Sequence, residues 1–561
     1  MSSTLFSTSC FIRTKLCRLC IYIDDDSNEL SVGTNNSILL RADTCEAPSS
    51  AFQISRSIRL HFESLIEEKK NASTLDNDTI PRTILLNNIL NIKLTAKSSN
   101  EPNSSSLLQY FSWHSSKQIS ENHETTSSES IQIDLSYVHI SESFIWTVKR
   151  LQLEMDSEAA YQFSLILTEY LSKLKHRPRH LVAFVNPHSG KGVSKYRRLF
   201  FTCSSLNNLI LGKGSSVYEK KVLPLFEEAN INVKTIYTTC ANHARDYISE
   251  QSLDDYDGLV SVGGDGMFSE LCHGLLLKTA KQAKLDMNDP NVNLMRPNLR
   301  IGVIPAGSTD AIVFGTTGYN DPITSALQII VGESVLIDIA TVHNEHGFVR
   351  LMATMFSYGF FGNIIQQSDN WRLFGPLRYD LAGFCQFLLN SSYHTELIIT
   401  QPPEKCNSKI LINNIDRYLF GNSVKRQDPL CKQDGEKSPD NQTINDVQSP
   451  LSRQIKREGD GSFDVVLVKS SWRLDFFRFL HHVAKDGRTI DDLSNVERYR
   501  ATEVIIRPTI NRRNRLGNWA CDGELITANE VRIRAHSQVL NLFASGIRLD
   551  QIKKINEEVS K

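Results

Sequence analysis

The sequence predicts an α/β protein with three parts: a β-rich N-terminal domain, an α/β lobe around a parallel sheet, and a second, β-rich lobe. Residues 1–175 carry short β-like runs separated by polar loops. From His180 the pattern changes to strand, glycine-rich turn and helix in repetition, and after Glu333 it becomes β-rich again. Alternation of strands with helices is typical of a parallel sheet covered by helices on its faces.

Composition and charge exclude some classes of protein. The 561 residues are too many for one ordinary hydrophobic core, so we expect two or three domains. The formal net charge of −1 gives no global attraction to nucleic acid, and we expect no nucleic-acid partner. No run of about 18 uncharged apolar residues occurs, so no transmembrane helix is predicted. Arg13, Lys15 and Arg18 interrupt the N-terminal segment where a signal peptide would be apolar, so we expect a cytoplasmic location.

The N-terminal domain is predicted from short strands and one closing helix. That helix, Ser157–Lys175, has Phe163, Leu167 and Leu171 at helical spacing. Short strands closed by one C-terminal helix suit a pleckstrin-homology-like sandwich, and a β-rich domain of another kind fits the pattern equally well. The predicted strands are Phe11–Ile23, Ser37–Arg41, Ile84–Leu94, Ile131–Val138 and Phe144–Leu153.

The two later lobes are predicted from their strand and helix patterns. In the α/β lobe the strands are Leu181–Asn186, Val233–Thr238, Gly258–Val262 and Leu299–Pro305, and the helices are Val217–Ala229, His243–Gln251 and Met267–Lys278. Asp321 as N-cap and Pro322 begin a further helix that ends at Gly332. Strands of the second lobe are Val335–Val342, Phe348–Met355, Thr395–Thr400, Phe463–Lys469, Thr502–Arg507 and Val531–Ala535. The polar segment 425–461 predicts a disordered insertion.

Three glycine-bearing turns each follow a hydrophobic strand, which is where open α/β sheets bind ligands. The first is Asn186-Pro187-His188-Ser189-Gly190-Lys191-Gly192, whose glycines let the backbone approach a phosphate. It is not a Walker A loop, because Lys191 is followed by glycine and not by Ser or Thr. The third is Pro305-Ala306-Gly307-Ser308-Thr309-Asp310, whose hydroxyls and free N–H groups at a helix start favour anions. Taken alone, the first also fits a structural turn and the third a plain N-cap.

The second turn, Gly263-Gly264-Asp265-Gly266, contributes the candidate for chemistry. A carboxylate framed by glycines at the end of a strand lies at the mouth of a cleft. Asp265 is therefore the candidate general base that accepts the proton of a hydroxyl attacking phosphorus. The alternative is that Asp265 only holds a turn or a metal ion. Glu270 lies one helical turn further on, where it could meet a nucleotide or its Mg²⁺, or simply face solvent.

Three phosphate-type turns in this order are more specific than any one of them. The segment resembles the catalytic domain of the diacylglycerol, sphingosine and ceramide lipid kinase family, with Asp522-Gly523-Glu524 following in the expected place. Within that family it looks most like the ceramide kinases, and the resemblance covers about residues 177–547. The stretches that indicate this include GGDGMFSELCHGL from Gly263, GSTDA from Gly307, YGFFGNII from Tyr358, LRYDLAG from Leu377 and NWACDGE from Asn518.

The resemblance implies a domain organisation and an activity. It implies a pleckstrin-homology-like domain over 1–175, a Rossmann-like nucleotide-binding lobe over 177–332 and a β-rich lipid-binding lobe over 333–561. The implied activity is transfer of the γ-phosphoryl group of ATP to the primary hydroxyl of ceramide or a related lipid. Mg²⁺ is expected to be held largely by ATP, with no transition-metal site, and Ca²⁺ regulation is plausible for the family. The N-terminal domain and the lipid imply peripheral attachment to intracellular membranes.

The resemblance also implies roles for individual residues. Asp265 is the implied base, and Arg372 and Arg378 match a pair of arginines that would offset the charge on the transferring group. By pattern alone, those two arginines would be surface charges on a helix. The implied substrate contacts are Gly263, Gly264, Asp265 and Gly266. The other implied ATP contacts are Asn186, Pro187, His188, Gly190, Lys191, Gly192, Thr238, Thr239, Cys240, Ala241, Asn242, Glu270, Gly307, Ser308, Thr309, Asp522, Gly523 and Glu524.

The sequence departs from the family pattern beside the first turn. After Gly192 a segment of about 22 residues is inserted, and it ends in a second GKG at 212–214. Either GKG could be the functional one. The cysteine cluster of ceramide kinases is matched only by Cys406 and the distant Cys431, and an expected strand between residues 420 and 461 is missing from the pattern.

Three alternatives to ceramide phosphorylation follow from these observations. The same chemistry could act on sphingosine or diacylglycerol. The departures from the pattern also fit a catalytically weak, lipid-binding scaffold of the same family. A soluble-substrate kinase such as a NAD kinase shares the GGDG turn, but the N-terminal domain and the long second lobe argue against it.

Overall fold

The chain folds into two compact units. A computed structural model describes residues 3–12, 15–23, 58–64, 83–96, 130–189, 213–307, 310–371, 377–389, 391, 393–402, 409–413, 417–421, 460–469, 471–484, 493–509, 516–547 and 551. One unit is Met1–Ser141 with Trp146–Arg177, and the other is Glu142–Ile145 with Pro178–Lys561. None of the helices found in these residues has both the length and the apolar character needed to cross a membrane.

In its described residues, the N-terminal unit contains one antiparallel sheet and one α-helix. The seven strands lie in the order β4-β3-β2-β1-β7-β6-β5. Helix α1, Ser157–Lys173, begins at Asp156, whose carboxylate accepts two N–H groups of the first helical turn. Phe163 and Leu167 of α1 are buried against the strands. The strands are β1 Ser3–Ile12, β2 Lys15–Ile23, β3 Ile58–Ser64, β4 Thr83–Leu85, β5 Ile89–Ala96, β6 Ser130–Ile140 and β7 Trp146–Asp156.

Two predicted strands of this unit are wrong in extent. The predicted strand Phe11–Ile23 combines the end of β1 with β2. In the structure these two strands form a hairpin in which Ile12 lies opposite Lys15. The two residues between them, Arg13 and Thr14, carry no turn signal, so the pattern does not mark the reversal. Ile84–Leu94 is divided by a 3₁₀ turn at residues 86–88. The predicted strand 37–41 lies outside the described residues.

The parallel sheet predicted for the α/β lobe is confirmed. Its strands lie in the order β9-β8-β10-β11, and all three neighbouring pairs are parallel. Because the chain runs from β8 to β9 on one side and to β10 on the other, the carboxyl ends of β8 and β10 form the switch point of the sheet. The strands are β8 His180–Val185, β9 Asn232–Tyr237, β10 Gly258–Gly263 and β11 Arg300–Pro305.

Helices follow the parallel strands as the pattern predicts. In the last of them the Asp321 carboxylate accepts the N–H of Thr324 at 2.8 Å, and Gly332 closes the helix with a φ of 85°. The predicted helix Val217–Ala229 begins earlier and is interrupted by a π-helical turn, Tyr218–Val222. The helices are α2 Lys213–Val217, α3 Leu223–Glu228, α4 His243–Glu250, α5 Asp265–Gln282, α6 Ala311–Thr317 and α7 Pro322–Val331.

The second lobe shares one sheet with the first. Strand β23 pairs antiparallel with β12 and β20 along its length, and its end at Leu542 lies parallel to Ile301 of β11. A separate six-stranded antiparallel sheet has the order β19-β18-β17-β14-β21-β22. The strands are β12 Val335–Asn344, β13 Gly347–Met352, β14 Met355–Gly359, β15 Thr395–Thr400, β16 Lys409–Asn413, β17 Arg417–Gly421, β18 Phe463–Val468, β19 Val496–Ala501, β20 Glu503–Pro508, β21 Asn518–Cys521, β22 Glu524–Ile526 and β23 Val531–Leu542.

The second lobe differs from the prediction in three respects. The predicted strand Phe348–Met355 is two strands, β13 and β14, which belong to different sheets. Helices α8 Phe360–Asn370 and α10 Arg473–Ala484 were not predicted, and α9 Leu377–Leu389 was expected only as a helix that carries Arg378, without bounds. Asp460 and Gly461, the end of the predicted disordered insertion, are bonded to Arg500 and to the Asp338 carboxylate respectively. The rest of that insertion, 425–459, lies outside the described residues.

We predict opposite effects of alanine at two helical glycines. A Cβ at Gly362 in α8 would lie 1.9 Å from the carbonyl oxygen of Asn518, so Gly362→Ala should destabilise the protein by about 2 kcal/mol or more. At Gly383 in α9 the nearest atom is 3.7 Å away, so Gly383→Ala should stabilise by about 0.5–1 kcal/mol. The thermal unfolding midpoint measures both. A shift of the same sign in the two variants would contradict the packing of α8 on β21.

Candidate active site

The predicted turns meet at the carboxyl edge of the parallel sheet. The N–H of Asn186 donates to the carbonyl of Val262 at 3.0 Å, which places the first turn beside the second. The N–H of Ala306 donates to the carbonyl of Gly263 at 3.0 Å, which places the third turn on the other side. The three turns therefore lie side by side at the switch point of the sheet.

Glycine is required where the second and third turns touch. A Cβ at Gly307 would lie 2.4 Å from the Cα of Gly264, so no side chain fits there. At Gly263 a Cβ would lie 2.9 Å from the Cβ of Met267. Gly266 is different, because it is exposed and a Cβ would meet nothing within 4 Å. The second turn is thus closed toward the sheet and open toward solvent at Gly266.

Asp265 caps the helix that follows the third turn. Its two carboxylate oxygens accept the N–H groups of Ala311 at 3.0 Å and Ile312 at 3.1 Å, which begin α6 and have no partner within that helix. Burial raises the pKa of Asp265, the two N–H groups lower it, and the charges of Asp310 and Asp522 raise it. Each oxygen keeps a second lone pair, so the carboxylate can still accept a bond from another donor.

Glu270 has the same relation to helix α4. One carboxylate oxygen accepts the N–H of Ala244 at 3.3 Å. Burial raises the pKa of Glu270, while the N–H groups of Asn242 and Ala244 lower it and the charge of Glu524 raises it. Asn242 has a φ of 64°, in the left-handed region that Asn tolerates better than most residues. Both predicted carboxylates therefore lie against helix N-termini in the cleft.

The other residues after β9 form a short exposed segment. Thr238 is buried, and its N–H donates to the carbonyl of Val185 at 2.9 Å. The N–H of Thr239 donates to Nδ1 of His243 at 3.2 Å. The next two residues, Cys240 and Ala241, are exposed. This segment consequently lies next to the end of β8 and the first turn.

Asp522 and Gly523 form the two-residue turn of the β21–β22 hairpin. Their φ values are 48° and 84°, and Cys521 pairs with Glu524, as in a type I′ turn. The Asp522 carboxylate accepts three backbone N–H groups from residues 353–355 at 2.9–3.0 Å. Its oxygens are thus engaged in holding the β13–β14 connection, while its charge acts on Asp265.

Two further residues of the cleft were not predicted. Arg350 is almost buried and donates to the exposed carboxylate of Glu524 at 2.6 Å. His273 of α5 accepts the N–H of Leu351 on Nε2 at 2.9 Å and donates from Nδ1 to the carbonyl of Ser269 at 2.8 Å. These bonds require a neutral imidazole, and burial lowers the pKa of His273. The sequence could have indicated His273, because it follows Glu270 by three residues and that spacing places both side chains on the same side of a helix.

The first turn is in contact with the second GKG. A Cβ at Gly214 would lie 2.3 Å from Oγ of Ser189 and 2.4 Å from the carbonyl oxygen of Asn186. Within the turn, the N–H of His188, which follows Pro187, donates to the side-chain oxygen of Asn186 at 2.9 Å. The start of α2 is therefore packed on the first turn.

Comparison with known proteins decides the family. The diacylglycerol kinase catalytic domain matches residues 211–342. Human ceramide kinase is 32% identical over 429 residues, which cover 68% of this chain and 76% of that protein. The chain belongs to the ceramide kinase family. Ceramide kinase 1 of Caenorhabditis elegans is 28% identical over 448 residues, covering 75% of each chain. Sphingosine kinase 1 of Arabidopsis thaliana is 27% identical over 232 residues, covering 40% of this chain and 41% of that protein.

The residues covered by the domain match are informative about the inserted segment of about 22 residues that follows the first turn. The match begins at residue 211, immediately before the second GKG, and leaves out β8 and the first turn. In this member of the ceramide kinase family, the segment between Ser189 and Lys213 separates two parts of the chain that are in contact.

The structure describes only some of the other residues implied by resemblance to ceramide kinases. Arg378 lies on α9, and its described contacts are with Tyr379, over whose ring it lies 4.6 Å from the centroid. Six others, Gly190, Lys191, Gly192, Ser308, Thr309 and Arg372, lie outside the described residues, as do Cys406, Cys431 and residues 422–459 of the segment in which a strand was expected. Over the part of the chain that is described, no three His, Cys, Asp or Glu side chains are grouped so as to hold a metal ion.

We predict that His273 makes stability depend on pH. Because its folded-state pKa is lowered, its contribution is complete above the unfolded pKa of about 6.5 and is lost as the pH falls toward the folded value. Between about pH 7.5 and about pH 5.5 the thermal midpoint of the wild type should fall more than that of His273→Gln. Other histidines with lowered pKa, such as His536, are present in both proteins and cancel. Equal falls in the two proteins would contradict the neutral imidazole.

Proposed function

We propose that the protein transfers the γ-phosphoryl group of ATP to the primary hydroxyl of ceramide, giving ceramide 1-phosphate. The observation that carries the proposal is the 32% identity across 76% of human ceramide kinase. The match to a sphingosine kinase extends over much less of the chain, which favours ceramide over sphingosine. The cleft supports a kinase because backbone N–H groups, glycines and a carboxylate converge at the switch point of a parallel sheet.

The direct test is a lipid panel. Purified full-length protein is incubated with ATP and Mg²⁺ and with ceramide, sphingosine or diacylglycerol in mixed micelles. We expect labelled phosphate on ceramide above the other two lipids. Transfer mainly to sphingosine or diacylglycerol would overturn the assignment of ceramide as the substrate. Lipid binding without phosphate transfer to any of the three lipids would favour a scaffold of the same family.

ATP is proposed to bind across the first and third turns and the segment after β9. The proposed contacts are Asn186, Pro187, His188, Thr238, Thr239, Cys240, Ala241, Asn242, Gly307, Ser308 and Thr309, with Glu270 and Asp522, Gly523 and Glu524 bordering the same cleft. Mg²⁺ suits carboxylate and phosphate oxygens, and it is proposed to enter bound to the phosphates of ATP. When bound, Mg²⁺ would offset charge on the phosphates. Arg372 and Arg378 keep their proposed role facing the transferring group.

Asp265 is proposed as the general base, with Gly263, Gly264 and Gly266 beside the lipid hydroxyl. Its raised pKa and its two free lone pairs suit a group that accepts a proton while it caps α6. The exposed side of Gly266 leaves open space at which a hydroxyl can approach. The competing hypothesis is that Asp265 is only the cap of α6.

We predict that Asp265→Asn lowers the rate of transfer by about 10²–10⁴-fold, with ATP affinity nearly unchanged. Asp310→Asn is the matched control, because Asp310 is a neighbouring carboxylate at the N-cap position of α6 and an Asn oxygen can also accept the N–H of Gly307, which now donates to Asp310 at 3.1 Å. Its rate should stay within about threefold of the wild type. Single-turnover transfer and ATP titration measure the two effects. Equal losses in both variants would support a structural role for Asp265.

The second GKG is proposed to complete the phosphate-binding turn, although the first turn itself ends in Gly190, Lys191 and Gly192. The close approach of Gly214 to Asn186 and Ser189 supports this. Gly214→Ala should weaken ATP binding by about tenfold or more, since its Cβ must displace the first turn. Gly190→Ala should change it by less than about twofold. The opposite ranking, in folded variants with unchanged thermal midpoints, would assign the function to the first GKG.

The N-terminal unit is proposed to be a pleckstrin-homology-like domain that attaches the protein to intracellular membranes. Seven strands closed by one C-terminal helix support the assignment. We expect full-length protein to sediment with vesicles that contain phosphoinositides and to lose part of that binding when free inositol phosphates compete. Binding that soluble headgroups leave unchanged would contradict recognition by this domain.

A further inference from the structure

The catalytic unit has an exposed apolar face on two helices of its second lobe. Of the 17 large apolar side chains that are exposed in the described residues, nine lie on α9, on α10 or on Trp472, which precedes α10. Single exposed apolar residues are normal, but a concentration of this kind marks an interaction site. We call the exposed side of these two helices the α9–α10 face.

The apolar residues of α9 form one continuous stripe. Leu377, Leu381, Phe384 and Leu388 recur every three or four residues, so they share one side of the helix. The opposite side of α9 buries Ala382. The exposed stripe is therefore a second apolar side on a helix that already has a buried one.

Helix α10 extends the stripe into a wider surface. The ring of Phe387 lies 6.1 Å from that of Phe477, and the Arg473 guanidinium donates to the carbonyl of Leu388 at 3.2 Å, so the two helices adjoin. Leu474 and Phe477 of α10 are 72% and 56% exposed, which continues the apolar surface across the junction. The inner side of α10 places Phe476 and Phe479 in a core cluster with residues of α8, β18 and β19, so α10 is packed on the lobe by the side opposite to the exposed one.

Charges around the face indicate the kind of partner. The guanidinium groups of Arg378 and Arg473 donate to neutral oxygens, and among the described residues no ion pair joins them to a carboxylate. Arg478 pairs with Asp475, and Asp380 is the remaining acid on these helices. Trp472 lies at the edge and is 83% exposed. Aromatic and basic residues bordering an apolar stripe are typical of helices that lie in a membrane interface.

We infer that the α9–α10 face docks on a lipid bilayer that contains anionic lipid. Helix α8 packs against α9 and also against the β21–β22 hairpin that carries Asp522 and Glu524. Docking would therefore bring the cleft close to the surface of the membrane in which a lipid substrate is dissolved. The docking surface lies on the catalytic unit, so membrane docking through it does not require the N-terminal unit. Only the idea that docking brings the cleft close to its lipid substrate rests on the proposed function.

Trp472 provides a direct test. Full-length protein is mixed with vesicles of phosphatidylcholine and phosphatidylserine, with or without bromine on the acyl chains, and tryptophan fluorescence is recorded. Bromine quenches only a tryptophan that reaches the acyl region. We expect quenching in the wild type and its loss in Trp472→Phe. Binding without quenching of the Trp472 component, or no binding to these vesicles, would overturn the inference.

Serine substitutions test the rest of the face. Phe384→Ser with Phe477→Ser should lower affinity for these vesicles by about tenfold or more, whereas Met295→Ser, equally exposed elsewhere, should leave it unchanged. The wild type and these variants should phosphorylate a short-chain, water-soluble ceramide at equal rates. If the wild type does not phosphorylate this ceramide, the result contradicts the proposed function and leaves the docking inference unaffected. If the double variant instead converts a dimer to a monomer and Trp472 is not quenched, the face joins two copies of the chain and the inference is wrong.

Discussion

The two hydrogen bonds from the start of α6 to the Asp265 carboxylate hold the cleft together. They join the second turn to the third, at the point where Gly264 and Gly307 are too close for any side chain. The same bonds stabilise the negative charge that burial opposes, so the carboxylate is kept in one position. Burial raises the pKa of Asp265, and the bonds that fix the geometry of the cleft limit that rise.

Each acidic residue around Asp265 is bonded to a different partner. Glu270 is engaged with the start of α4, Asp522 with the β13–β14 connection, and Glu524 with Arg350. Each carboxylate is thus held by backbone N–H groups or a guanidinium before any ligand binds. Because Asp522 and Glu524 come from the second lobe, the shared strand β23 and the hydrogen bond from Leu351 to His273 also fix the distance between the two lobes.

The sequence predicted the parallel lobe better than the second lobe for a physical reason. Buried parallel strands are continuous apolar runs ending in glycine turns, so β8, β10 and β11 could be placed almost to the residue. In the second lobe the chain passes from one sheet to the other at Ala353 and Thr354, without a glycine or proline. The N–H groups of these two residues donate to the carboxylate of Asp522, which is far away in sequence. Contacts of that kind, like the approach of Gly214 to the first turn, leave no local signal.

Amide hydrogen exchange with a non-hydrolysable ATP analogue tests the central claim most directly, that the nucleotide binds where the strands β8, β9, β10 and β11 end. We predict protection of the first turn, of residues 238–244 and of residues 263–266 and 306–312, together with the second GKG at Lys213 and Gly214. Protection confined to regions away from the carboxyl edge of the parallel sheet, or no protection at saturating analogue, would contradict the account.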